Sequence, residues 1–116
     1  MLLDDVVAGI EAAGIPCRRT VFNNPPQTGA FAVWGDAVRS GGADTAALTR
    51  KHYSSVLLAE NQGPDGDAVD RVDAVLDSLI GGMSDGWSRR EREWSNDERV
   101  YVTEYTFSFT ERLKTR

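Results

Sequence analysis

Tyr101-Val102-Thr103-Glu104-Tyr105-Thr106-Phe107-Ser108-Phe109 alternates without a break: Tyr101, Thr103, Tyr105, Phe107 and Phe109 point one way, while Val102, Glu104, Thr106 and Ser108 point the other. A period of two is the signature of a strand with one buried face. Four aromatic rings on that face need a covering layer, so the strand predicts a sheet with helices packed on one side. The opposite face is mixed and reads as lying in water or against a neighbouring subunit. Upstream, Ser95-Asn96-Asp97 makes a tight turn, and the charged run Trp87 to Trp94, with its two tryptophans as anchors, reads as the other arm of a hairpin.

The helices that would cover the aromatic face are legible further out. Val69, Val72, Val75, Leu76 and Leu79 keep to one helical face, with Asp67, Asp70, Arg71, Asp73 and Asp77 around the remainder and Gly81-Gly82 as the stop. Leu3, Val6, Val7 and Ile10 do the same near the start, over about 2–13, with Asp4 and Asp5 at the positive end and Gly14 and Pro16 beyond. Between the helices, Cys17 to Phe22, Phe31 to Trp34 and His52 to Glu60 read as strands. The turn-rich Asn23 to Gly29 separates the first two, and Gly35-Asp36 is expected to interrupt or bend the second. Ala37 to Lys51, polar and small-residue rich, reads as a long hairpin tip or loop. The expected fold is a single α+β domain over 1–116. Its mixed or antiparallel sheet has about four to five strands with two helices on one face, in the order α-β-β-β-α-β-β.

Composition narrows the function. A chain of 116 residues supports one core. Its longest apolar runs fall far short of the roughly 20 residues needed to cross a bilayer. Met1-Leu2-Leu3-Asp4-Asp5 places acids where a secretory signal places bases, so no signal peptide is expected. The net charge of −5 argues against sequence-specific nucleic-acid binding as the main task. Through Ser88 there are 6 basic and 12 acidic residues, and from Arg89 onward 7 and 6. An acidic body with a near-neutral tail can support head-to-tail contact between identical subunits, although a solvated surface explains it nearly as well.

Chemistry is hard to find. His52 is the only histidine and stands without a cysteine or second histidine beside it, so it reads as a structural or surface residue rather than a catalytic base or metal ligand. Cys17 is the only cysteine and reads as a small buried apolar residue. Asp65-Gly66-Asp67 with Asp70 and Asp73 lacks the spacing and terminal glutamate of a calcium loop. Gly41-Gly42 and Gly81-Gly82 lack the strand-to-helix setting and lysine of a phosphate loop. Trp34, Trp87 and Trp94 suit the core or a protein contact. No catalytic, cofactor-binding or metal site is expected, and the protein is expected not to be an enzyme.

Four stretches resemble the tail terminator and tail-completion proteins of long-tailed phages, including the lambda-type terminator. They are Gly14-Ile15-Pro16 to Pro25-Pro26 with Phe31-Ala32-Val33-Trp34; Gly42-Ala43-Asp44 before His52-Tyr53-Ser54-Ser55-Val56-Leu57-Leu58; the acidic helix Asp67 to Asp77; and Glu98 to Phe109, similar to the family's final aromatic strand. The segment Asp36 to Lys51 departs from the family in length. The resemblance implies a structural role in the virion without a cofactor. Subunits form a ring, commonly a hexamer, that caps the tail tube, with itself, the tail tube protein and the head-tail connector or neck protein as partners. Candidate contacts are the loop Arg39, Ser40, Gly41, Gly42, Ala43 and Asp44, and the charged strand with Arg89, Arg90, Arg92 and Trp94. Two alternatives stay open: a head-tail joining or neck protein, and a small cytoplasmic ligand-binding or regulatory dimer with an apolar pocket.

Overall fold

The computed structural model describes residues 1–19, 29–40, 49–61, 66–83 and 86–112. The elements are α1 (Leu2–Ala12), β1 (Cys17–Arg19), β2 (Ala30–Ser40), β3 (Thr49–Glu60), α2 (Ala68–Leu79), β4 (Trp87–Arg89), β5 (Glu93–Ser95) and β6 (Val100–Arg112). This is the expected α+β order, with a six-stranded mixed sheet in place of four to five strands. The sheet runs β1-β2-β3-β6-β4, with β5 also on β6. β1 is parallel to β2, and the remaining pairs are antiparallel.

The additional strand arises where the charged arm was expected to be continuous. Arg89 pairs with Tyr105 and Glu93 with Val102. Four steps on one side (93 − 89) therefore face three on β6 (105 − 102), which is one extra residue and so a bulge. It splits the arm into β4 and β5. A turn then leads into β6, with the Arg99 N–H donating to the Ser95 carbonyl at 2.7 Å and Arg99 itself at φ 60.

The alternating face read from the sequence is the covered one. Thr103, Tyr105 and Phe107 are buried with Ala32, Val56 and Leu58 from the adjoining strands, under Leu3, Val6 and Ile10 of α1 and Ala68, Val72 and Leu76 of α2. Leu79, expected on the same face, is 40% exposed. Gly9 brings the two helices together, since a Cβ there would stand 2.8 Å from Val75 Cγ1. The layers are also tied by polar bonds. Arg71 Nη1 donates to the Ala13 carbonyl (2.6 Å), Tyr105 Oη to that of Val69 (3.2 Å) and Trp87 Nε1 to that of Gly81 (2.6 Å). Burial and the neighbouring Asp73 raise the Tyr105 phenol well above its ordinary value, so it stays a donor. On the far face, among the described residues, lies a small cluster of Phe31, Ala59 and Val100, with Val102 against it.

The central strands run further than the sequence suggests. Gly35-Asp36 does not interrupt β2, which pairs with β3 in unbroken register from Ala30↔Glu60 to Ser40↔Arg50. Ala37 to Ser40 and Thr49 to Lys51, read as loop, are strand. Residues 20–22 of the first expected strand lie outside the described residues, as do the turn at 23–28 and the remaining loop at 41–48.

Candidate assembly surface

β2, β3 and β6 have 11, 12 and 13 residues, against 11 and 12 in the two helices. A strand rises about 3.3 Å per residue and a helix about 1.5 Å. The strands thus span roughly 40 Å and the helices roughly 17 Å. A three-stranded ribbon, residues 37–40, 49–53 and 108–112, extends beyond the helix layer, in keeping with a long axis of 49 Å.

Polar side chains hold this ribbon together. His52, on β3, is 4% exposed. Its Nδ1 lies 2.7 Å from Asp36 Oδ2 on β2, and its Nε2 lies 3.0 Å from Glu111 Oε1 on β6. Ser54 Oγ donates to Asp36 Oδ1 at 2.8 Å, and the Phe109 ring stacks on the imidazole at 4.5 Å. Burial alone lowers the histidine pKa, but the hydrogen bonds and charges of Asp36 and Glu111 outweigh it and raise the value above 6.5. The imidazolium is therefore a strut across three strands. Serine, histidine and aspartate are all present, yet Ser54 donates to the carboxylate and both ring nitrogens face carboxylates. That arrangement does not pass a proton from hydroxyl to imidazole as a nucleophilic triad must.

The ribbon leaves apolar surface in solvent. Val38 is 49% exposed and Tyr53 48%. Beside it, an open notch of about 640 Å³ is lined by Ser54, Ser108, Met83, Gly86 and Trp87 among others.

The sequence-derived contacts divide into two groups. Arg39 is exposed on β2, its guanidinium 5.7 Å from the centre of the Tyr53 ring, and Ser40 ends that strand. Both lie on the ribbon. Gly41, Gly42, Ala43 and Asp44 lie outside the described residues. Of the second group, Arg89 turns inward, its Nε 3.2 Å from Asp73 Oδ1. Arg92, re-aimed by the bulge, donates Nε and Nη2 to Glu60 Oε1 and Oε2 at 2.9 and 3.1 Å, and the Glu60 side chain is only 4% exposed. Arg90 is exposed, 3.5 Å from Glu104, and Trp94 is exposed with its ring edge-on to Tyr101. Of the tryptophans, Trp87 is buried, Trp34 half-buried and Trp94 exposed. Sequence reasoning singled out His52 as a structural or surface residue but missed its partners Asp36 and Glu111, and Ser54 beside them. The signal available was a histidine and serine two apart on one strand face, in line with the apolar Val56 and Leu58.

Close to the bulge, the Thr103 hydroxyl has no hydrogen-bond partner among the described residues. Thr103 borders a cavity of about 230 Å³ with Gly66, Asp70 and Arg89, roomy and polar enough for water. Cys17 is buried, and its thiol is pushed up to about 12 by that burial first and by Glu11 second, so it is a poor nucleophile. No helix among the described residues is long and apolar enough to cross a membrane. No protein-family model matches the chain, and a search of curated proteins finds no match either.

Proposed function

We propose that the chain is a structural subunit of a long-tailed phage, a tail terminator or tail-completion protein, and not an enzyme. Its copies form a ring, commonly a hexamer, that caps the tail tube and offers a docking surface to the head-tail connector. The observation that supports this reading is the overhanging ribbon. Roughly 20 Å of three-stranded sheet extends past the helices that cover the remainder. It is stiffened internally by the His52 strut and still exposes Val38 and Tyr53. A small domain gains nothing in its own core from such an extension, whereas a subunit that must touch its copies, a tube and a neck needs projecting surface. The resemblance of the four sequence stretches to the terminator family agrees with it.

The test is the mass of the purified protein by light scattering at low and high concentration, with and without phage tail tubes. A hexamer, or a monomer that adds to tube ends and stops their growth, is expected. A stable dimer indifferent to tubes refutes the proposal and favours the ligand-binding or regulatory alternative.

A further inference from the structure

The two edges of the overhanging ribbon match each other. β1 pairs with β2 only at Ala32, Val33 and Trp34, and β4 meets β6 no further along than Phe107. Among the described residues, no strand pairs with the outer edge of β2 over Asp36–Arg39 or with that of β6 over Ser108–Arg112. The two stretches stand at equal height, because β3 links them in register: Ala37↔Tyr53↔Ser108 and Val38↔His52↔Phe109. They also run in the same direction, since each is antiparallel to β3.

Backbone geometry sharpens the match. Successive residues of a strand aim their N–H and C=O groups at alternate edges. The Ala32 N–H reaches outward to the Pro16 carbonyl at 2.8 Å, so the even residues of β2, Asp36 and Val38 included, face the outer edge, which no described strand pairs beyond Trp34. The Glu104 carbonyl accepts from the Arg90 N–H at 2.9 Å, so the even residues of β6, Ser108 and Thr110 included, face the other. Parallel pairing requires one residue's N–H and C=O to bond the residues before and after its opposite number. Val38 placed opposite Phe109 meets that condition, donating to the Ser108 carbonyl and accepting from the Thr110 N–H. Its half-exposed side chain then lies beside the half-buried Phe109 ring, on one face of a continuous sheet.

We propose that copies of this chain join edge to edge, β6 of one beside β2 of the next in parallel, with Val38 opposite Phe109. The occupant is a second copy because height, direction and hydrogen-bond parity all match within one chain. The contact is heterologous. Rotation about an axis along the strands, with little shift along it, repeats the contact and closes a ring instead of building a filament. The inference rests on the ring-forming reading above and adds which backbones meet.

Cysteine pairs test it. Ala37 and Ser108 are exposed, and the pairing sets them opposite each other across adjacent strands, about 4.8 Å apart, inside the range a disulfide spans. Within one chain β3 separates them by about twice that distance, too far to bridge. Cys17, buried with a raised pKa, stays out of the oxidation. In the Ala37→Cys/Ser108→Cys chain, oxidation of the free protein or of capped tubes should give a covalent ladder up to the full ring. A mixture of the two single variants should stop at dimers, and each alone should give none. Val38→Pro removes one outward N–H and no bond to β3, so it should stay folded by circular dichroism and lose the ring. A ring of unchanged mass without crosslinks, self-crosslinking of either single variant, or a ring formed by Val38→Pro overturns the pairing and leaves the ring reading standing. Failure to self-associate with or without tubes overturns both.

Discussion

Replacing Arg92 with methionine leaves the Glu60 carboxylate inside the fold with no guanidinium to answer it. The present pair is bidentate at 2.9 and 3.1 Å, with the glutamate side chain 4% exposed and that of the arginine 24%. At an effective dielectric of about 20, two unit charges near 3 Å attract by roughly 5 kcal/mol. Removing each ion from water costs several kcal/mol, so the intact pair comes out close to neutral. Arg92→Met retains the carboxylate's desolvation and loses the attraction, which costs about 3–5 kcal/mol. A domain of this size has roughly 6–17 kcal/mol in total, so the variant loses a large fraction of it. With a urea slope of about 1.5–2 kcal/mol/M, the midpoint falls by roughly 2 M at unchanged slope. The double variant Arg92→Met/Glu60→Leu removes both charges at similar volume and should recover to within about 1 kcal/mol of the parent or exceed it. Equilibrium unfolding in urea measures all three. A single-variant cost below about 1 kcal/mol, or a double variant as weak as the single, refutes the view that the bulge exists to deliver a cation to a buried acid.

The His52 pKa is raised on folding, so its contribution is full below its unfolded value of about 6.5 and is lost as pH climbs through the higher folded value. The stability difference between the parent and His52→Gln, measured by urea unfolding from pH 5.5 to 9, should therefore shrink as pH rises; a flat or growing difference counts against the strut. Thr103→Val removes, at almost constant shape, a hydroxyl with no hydrogen-bond partner among the described residues and should be neutral or stabilising by about 1 kcal/mol in the same assay, whereas a loss above about 1 kcal/mol would point to a bonded hydroxyl. Gly9→Ala should cost about 1–3 kcal/mol by thermal unfolding although alanine is the better helix former, because its methyl meets Val75, and Val75→Ala should restore most of that loss.

What could be read from the sequence were the regular elements whose cause is local. The alternation from Tyr101 to Phe109 and the apolar stripe of Val72 and Leu76 both mark faces that are buried. Asp36 to Ser40 and Thr49 to Lys51 were obscured because their inward positions carry polar groups. Asp36, His52 and Glu111 satisfy one another across separations of 16 and 59 residues, which no window of sequence displays. The bulge was hidden for a related reason: its extra residue can be counted only against β6. That is why Arg89 and Arg92 looked like surface charge, although a glutamate closing the apolar run Val56 to Ala59 was a sign that some cation had to come inward.

The central position of β3 also carries a cost during synthesis. Its partners on one side come just before it in the hairpin, but its pairs with β6 join residues from 41 positions apart, Glu60↔Tyr101, to 63 apart, Thr49↔Arg112. At about 5–20 residues per second, that is a delay of roughly 2–13 s. The β2–β3 hairpin itself closes within about 1–10 μs. For seconds, then, the nascent chain holds out a twelve-residue strand carrying Val56, Leu57 and Leu58 with one edge unpaired. A chain made on crowded polysomes meets its own copies in that interval, so protection by chaperones and fewer chains in synthesis at once should raise its soluble yield more than any gain in final stability.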